Sequence, residues 1–207
     1  AYRCTGTKLR DFKLIRGGKL DGGDALKFVA VSDIIRPGQC DTHNVLIMCE
    51  ADLRGGPAAR WARGLVMDGS AVPTRGSAGV RDTFFSNMRI SSCSTRDFVV
   101  LDTAVHARFL GLQIDPGRYA GSELPRILIH NCEHVYFEAA EINGAVEIYN
   151  SIDVQLRGFF HTVRLGGACR QVTIQGAVRN LSVTNGVDGY ALVSGLETRE
   201  NRSLQFK

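Results

Sequence analysis

Four carboxylates in the centre of the chain are spaced so that two of them could act together on a glycosidic bond. Hydrolysis of such a bond uses two carboxyl groups, about 5–5.5 Å apart in retaining enzymes and about 6.5–9.5 Å apart in inverting ones. Neighbouring β-strands lie about 4.8 Å apart, so carboxylates one or two strands apart satisfy either distance. The catalytic candidates are Glu138, Glu141, Glu147 and Asp153.

Two of these carboxylates are predicted to have arginine neighbours. An internal repeat of the sequence places Glu138 beside Arg157 and Glu147 beside Arg164. An adjacent guanidinium lowers the pKa of a carboxyl group, whereas a general acid needs a raised pKa. The pairs therefore favour permanently ionised, structural carboxylates over catalytic ones.

Aromatic side chains indicate a second kind of chemistry, the binding of sugars. Tyr136 and Tyr149 occupy predicted outward positions, where a ring can stack on a sugar face. Tyr119 lies in a predicted loop, and Arg157 adds a cation. We predict these four residues to bind carbohydrate. For the two strand tyrosines, outward aromatic ladders or packing between subunits is the alternative.

No cofactor or metal site is predicted. His130 and His134 flank Cys132, but the segment has the pattern of a turn and a strand, not of a helix that would align residues i and i+4. Nucleophile-elbow, P-loop and dinucleotide-binding motifs are absent from the sequence.

The composition is that of a folded, weakly basic, single domain. The 207 residues carry a formal net charge of +4, and 44% of them are hydrophobic. No run approaches the roughly 20 apolar residues that span a bilayer, and the first residues lack a signal-peptide pattern. Membrane insertion and classical export are therefore not expected. Six arginines between positions 60 and 96 are interpreted as a solvated face, with no nucleic-acid partner.

A weak internal repeat organises the second half of the chain. The pattern Ile-x-Asn-(Cys/Ser)-x-x-Val begins at Ile129 and Ile148, and looser copies begin at Leu165 and Val183. The starting positions show that the interval between successive copies is nearly constant. A unit this short cannot enclose a core alone, so each copy must stack on the next.

Apolar and polar residues alternate within each copy, as in short strands. Positions 135–137, 154–156 and 172–174 show this period of two. Two or three short strands per copy, with turns between them, predict an all-β fold. The expected architecture is a right-handed, single-stranded parallel β-helix with coils of about 17–24 residues. In this register Asn131 and Asn150 are expected to stack at a corner.

The repeat also predicts where the cysteines lie. Cys93, Cys132 and Cys169 fall at similar positions in their copies and are predicted to be inward-facing thiols. Cys40 and Cys49 lie outside the clear repeats, and disulfides stay possible for them.

Aliphatic and aromatic positions give a further expectation about surfaces. Val146, Val163 and Leu181 are predicted to form an outward apolar row that could pack around a three-fold axis. Phe159 is predicted to fill the core. The whole chain, 1–207, is one domain: looser coils in 1–85, regular coils in 86–195, and a cap or extension in 196–207.

The copies IHNCEHVYF and IYNSIDVQL resemble the repeats of parallel β-helix (pectate-lyase-like) proteins, a group that includes bacteriophage tailspikes. The resemblance covers roughly positions 85–195. Without a secretion signal, the chain is more similar to phage virion proteins than to secreted pectinases. The resemblance implies a homotrimer that binds, and in many relatives cleaves, bacterial surface polysaccharide.

Two functions follow from the sequence. The first is a bacteriophage virion protein, tailspike-like or a spike or decoration component, that attaches to host polysaccharide or builds the particle. The alternative is a polysaccharide-degrading enzyme, a hydrolase or lyase that uses carboxylates on adjacent coils.

Overall fold

A computed structural model describes residues 7–18, 20–29, 40–54, 59–70, 80–184 and 188–193. Within them the chain is all-β, as predicted, apart from one short helix, α1 (Ala51–Arg54). The strands are β1 Thr7–Arg16, β2 Asp24–Val29, β3 Cys40–Cys49, β4 Arg63–Asp68, β5 Val80–Ser91, β6 Asp97–Asp102, β7 Ala104–Leu110, β8 Gln113–Asp115, β9 Arg126–His130, β10 Glu133–Tyr149, β11 Ile152–Gly166, β12 Arg170–Val183 and β13 Asp188–Val193.

Every strand pairing in the described part of the chain is parallel. The long strand β10 shows how three rows of pairing arise. Its first segment pairs with β7, its middle residues Glu141 and Ile142 pair with β8, and its last segment, from Ala145, pairs with β9. Strands β11 and β12 continue all three rows. The chain therefore returns to each row once per repeat.

The distance along the chain between paired residues is less regular than predicted. The pairing of Glu133 with Ile152 falls within the predicted coil length. The pairings of Val105 with Glu133 and of Cys40 with Thr83 span longer segments, which exceed that length. The predicted range of coil lengths is therefore too narrow. Between Val105 and Glu133, the loop that joins β8 to β9 accommodates the additional residues.

Side chains stack inside the fold because parallel pairing repeats the same inward position from strand to strand. Phe85, Phe109 and Phe137 are register partners in turn. Their rings stack with centroids 4.7 and 4.6 Å apart and planes within 9° and 7° of parallel. All three are at most 1% exposed. This ladder forms part of one continuous core.

The cysteines whose side chains are described also face the core. Cys49, Cys93, Cys132 and Cys169 are all buried, which confirms the inward position predicted for the last three. The side chain of Cys40 lies outside the described residues, so the possibility of a disulfide at Cys40 stays a prediction. Burial raises the pKa of Cys93 and of Cys132 to about 12, so both stay protonated at neutral pH.

Asparagines mark several bends of the chain. Asn87, Asn131 and Asn150 have φ angles of 51°, 53° and 50°, a left-handed region that asparagine tolerates better than most residues. An amide ladder forms where Asn87 Nδ2 donates to Asn44 Oδ1 at 3.0 Å. Asn150 Oδ1 accepts from the backbone N–H of Ala168 at 3.0 Å, and the stacking of Asn131 on Asn150 stays a prediction.

Two predictions about side-chain direction are wrong. Val146 and Val163 are buried in the core, and Leu181, their partner in the same row, is half-buried, so these residues form no outward apolar face. Phe159, predicted to be internal, is 37% exposed. One register shift, between Phe137 and Ala140, precedes the pairing of Phe159, and a second, between Ile142 and Ala145, precedes that of Val146. Because side-chain direction alternates along a strand, one extra residue reverses it.

Candidate functional site

A shallow groove crosses the outward face of five strands, β3, β5, β7, β10 and β11. It consists of two adjoining depressions, with volumes of about 520 and 420 Å³, that share His106 and Arg108. We call this feature the lateral groove. Its lining residues are Asp41, Asp82, Thr83, Phe84, His106, Arg108, Tyr136, Glu138, Gln155 and Arg157.

Parallel register brings these side chains together. Phe84 pairs with Arg108, Arg108 with Tyr136, and Tyr136 with Gln155, so one outward row runs across four strands. Arg157 lies two positions beyond Gln155, on the same face because side chains alternate along a strand. The groove thus combines two aromatic rings with hydrogen-bonding and charged groups, a composition typical of sugar-binding surfaces.

Glu138 is paired with an arginine, but not with the predicted one. Its two carboxylate oxygens accept hydrogen bonds from Arg108 Nη2 at 3.0 and 3.1 Å. The predicted neighbour, Arg157, has no ion-pair or hydrogen-bond partner among the described residues. The register shift after Phe137 explains the difference, because it interrupts the one-to-one pairing of β10 with β11 at Glu138.

Asp153 lies at the edge of the groove and is held by three neighbours, one of which is Gln155, whose Nε2 donates to Asp153 Oδ1 at 3.3 Å. The Tyr136 hydroxyl donates a short hydrogen bond to Asp153 Oδ2, and His134 Nδ1 lies 2.8 Å from the same oxygen. Burial alone would raise the pKa of Asp153, but these hydrogen bonds outweigh it and lower the pKa. Burial, together with the bond to Asp153, raises the pKa of Tyr136 to about 12. The arrangement fixes the tyrosine ring in place.

A pair of histidines lies along the same edge. The rings of His106 and His134 are 4.8 Å apart and tilted by 32°. His106 Nδ1 lies 3.0 Å from Asp82 Oδ1, so each ring has its own carboxylate partner. His106 and His134 have φ angles of 55° and 56°, so the backbone of both lies in the left-handed region.

Glu147 lies outside the groove, in a cluster of cations. Its carboxylate accepts hydrogen bonds from Arg96 at 2.8 Å, Arg126 at 2.9 Å and Arg164 at 2.5 Å, and its side chain is 5% exposed. The predicted Glu147–Arg164 pair is confirmed. Burial alone would raise the pKa of Glu147, but the bonds from Arg126 and Arg164 lower it. The cluster stabilises the fold and has no free carboxylate for proton transfer.

The remaining predicted site residues are not brought to the groove. Glu141 is exposed in the adjacent row, where it pairs with Gln113 and Phe159. Tyr119 packs edge-on against Phe98, with centroids 5.7 Å apart.

Tyr149 is likewise outside the groove, at the end of β10. Its ring packs over Gly166 so closely that a Cβ added there would lie 2.6 Å from Tyr149 Cε1. The structure therefore assembles Tyr136, Glu138 and Arg157, with Asp153 beside them, and separates the other four candidates.

Sequence reasoning missed the half of the groove contributed by Phe84, His106 and Arg108. These residues lie upstream of the regular repeats, and Arg108 is paired with Tyr136 across a segment that is longer than a regular repeat. Apolar and polar residues alternate over β7. This signal could have located them if the interval between paired strands had been allowed to exceed that of the regular repeats.

Comparison with known proteins identifies no relative: the chain matches no family model, no curated protein and no solved structure. The resemblance to parallel β-helix proteins stays a prediction. The described side chains contain no group of three or more His, Cys, Asp or Glu arranged to hold a metal ion. No helix in the described ranges has the length and apolar character needed to cross a membrane.

Proposed function

We propose that this chain is a right-handed parallel β-helix that binds polysaccharide along the lateral groove. Three rows of parallel strands, each revisited once per repeat, support the β-helix. Right-handed winding follows the general preference of crossover connections between parallel strands. The inward phenylalanine ladder and the inward cysteines agree with coils stacked on a common core.

The observation that carries the binding proposal is the Tyr136 ring beside Gln155 and Arg157 on an open groove. Sugar rings present apolar C–H faces to aromatic side chains and hydroxyls to amide and guanidinium groups. A groove that crosses several strands suits an extended chain of sugars better than a single small molecule.

Binding is favoured over cleavage by the state of the carboxylates. Glu138 is held by Arg108, and hydrogen bonds lower the pKa of Asp153. A glycosidase needs one carboxyl group with a raised pKa as general acid. The groove offers carboxylate oxygens that can accept hydrogen bonds from sugar hydroxyls.

The proposal includes a biological setting, a bacteriophage virion in which the chain assembles as a homotrimer and attaches to host surface polysaccharide. It rests on the resemblance of the repeats and not on an observed interface. Light scattering on the purified chain tests the assembly: a mass three times that of the 22.6 kDa chain supports it, and a monomer contradicts it.

A polysaccharide array tests the groove. The chain and its Tyr136→Ala variant are applied to immobilised capsular and O-antigen polysaccharides, and Phe159→Ala is the control because it removes an exposed ring from the neighbouring face. We expect Tyr136→Ala to lose binding and Phe159→Ala to keep it. Binding that survives Tyr136→Ala unchanged would place the ligand elsewhere.

A further inference from the structure

The two ends of the lateral groove differ in the charge that is left unpaired. At the β10–β11 end, Arg108 and Glu138 neutralise each other, and the Asp153 carboxylate at the edge is occupied by Tyr136, His134 and Gln155. Arg157 remains an exposed cation without a partner among the described residues. At the β3–β5 end the lining includes Asp41 and Asp82.

The acidic end is also incompletely paired. Asp82 is bound by His106, whereas Asp41 makes no ion pair within the described ranges, although its register partner on β1 is Lys8. An extended ligand that fills the groove therefore passes from the Asp41 carboxylate at one end to the Arg157 guanidinium at the other.

We infer that the groove binds an acidic polysaccharide, with a sugar carboxylate bound by Arg157 and the ring of that sugar against Tyr136. This inference rests on the proposed function and names its ligand class. A guanidinium presents a planar pair of N–H donors that matches the two oxygens of a carboxylate. Charged partners in such a pair hold each other more strongly than neutral hydrogen bonds do.

The geometry supplies both halves of a uronic-acid site. Tyr136 and Arg157 lie on the same face of adjacent strands and line one depression. The bond from Tyr136 to Asp153 holds the ring in place, which reduces the entropy lost when a sugar stacks on it. Gln155, between them on the same face, donates one N–H to Asp153 and offers its second N–H and its carbonyl oxygen to hydroxyl groups.

The charge gradient also orients the ligand. A carboxylate near Asp41 is repelled, and one near Arg157 is attracted, so the acidic sugar occupies the β10–β11 end. Removing the charge of Asp41 is expected to strengthen binding of an acidic chain, while removing the charge of Arg157 weakens it.

The experiment uses the full chain and an array of bacterial polysaccharides, each immobilised both in native form and after chemical reduction of its carboxyl groups to alcohols. We expect binding to a carboxylate-bearing polysaccharide and a loss of about tenfold or more on its reduced form. Arg157→Gln should show a similar loss on the native form and no further loss on the reduced one. Arg157→Lys should be intermediate.

Two control variants separate a local contact from overall charge. Arg179→Gln removes one positive charge from an exposed position on β12 outside the groove and should leave the affinity within about twofold. Asp41→Asn should raise the affinity for the native form. Circular dichroism and unfolding midpoints confirm that each variant is folded.

The outcomes distinguish the two levels of the proposal. Equal binding to native and reduced polysaccharide, lost in Tyr136→Ala but unchanged in Arg157→Gln, would overturn the acidic ligand and leave the glycan groove standing. Equal losses in Arg157→Gln and Arg179→Gln would show attraction by overall charge and overturn the site. Failure to bind any polysaccharide in either form would overturn both proposals.

Discussion

Oε2 of Glu147 lies 2.9 Å from Nη1 of Arg126, and the same arginine lies 2.5 Å from Asp97 through Nε. Charges of opposite sign thus alternate across neighbouring strands β6, β9 and β10. The series continues on one side to Arg164 of β11, and a similar pair, Asp24 with Arg63, joins β2 to β4. Each member neutralises the next, which permits burial of a carboxylate that is 5% exposed.

Replacing Glu147 with glutamine should destabilise the fold by about 2–4 kcal/mol, because three arginines would face one another without their shared anion. Glu138→Gln is the matched control, since it breaks a partly exposed pair worth less than about 1 kcal/mol. Denaturant unfolding followed by circular dichroism measures both. Equal losses in the two variants would contradict a special role for the buried carboxylate.

Stability should fall in acid through the carboxyl groups whose pKa values are lowered. Glu147 has a folded-state pKa below its ordinary value of 4.5. Its contribution is therefore fully present above that value, and it is lost as the pH falls through the folded-state pKa. Unfolding midpoints measured between pH 7 and pH 3 should decline below about pH 4.5, and less steeply in Glu147→Gln. A parallel decline in both proteins would assign the acid sensitivity to other groups.

Tyr136→Phe should separate the hydroxyl of this residue from its ring. The variant keeps the aromatic face of the groove but loses the hydrogen bond to Asp153, so the pKa of Asp153 should rise towards its ordinary value of 3.8. A stability loss of about 1 kcal/mol is expected, with polysaccharide binding retained. Carboxyl titration by NMR measures the pKa, and an unchanged value would mean that His134 and Gln155 are enough to hold the carboxylate.

Gly158→Ala should be strongly destabilising because of a backbone clash. A Cβ at this position would lie 2.1 Å from the carbonyl oxygen of Ala140, and φ is 145°. Gly22→Ala is the control, since its φ is 144° and nothing lies within 4 Å of the added Cβ. We expect about 1–2 kcal/mol for Gly22→Ala from φ alone and clearly more for Gly158→Ala. Similar losses of stability in the two variants, measured by thermal unfolding, would show that the contact with the carbonyl oxygen of Ala140 adds little to the effect of φ.

What the sequence alone determined was local. Periods of two within each copy and a nearly constant interval between copies predicted strands and stacking, and the shared position of Cys132 and Cys169 predicted buried thiols. These features depend on residues next to one another in the chain or one repeat apart, so the sequence displays them directly.

The tertiary structure decided which outward side chains meet. Register shifts after Phe137 and after Ile142 redirect the residues that follow, which separates Glu138 from Arg157 and buries Val146. The groove depends on Arg108 lying beside Tyr136, although the segment between them is longer than a regular repeat. Since one extra residue in a strand reverses every later side chain, and loops of unequal length change the interval between strands, contacts of this kind are settled only when the strands pair.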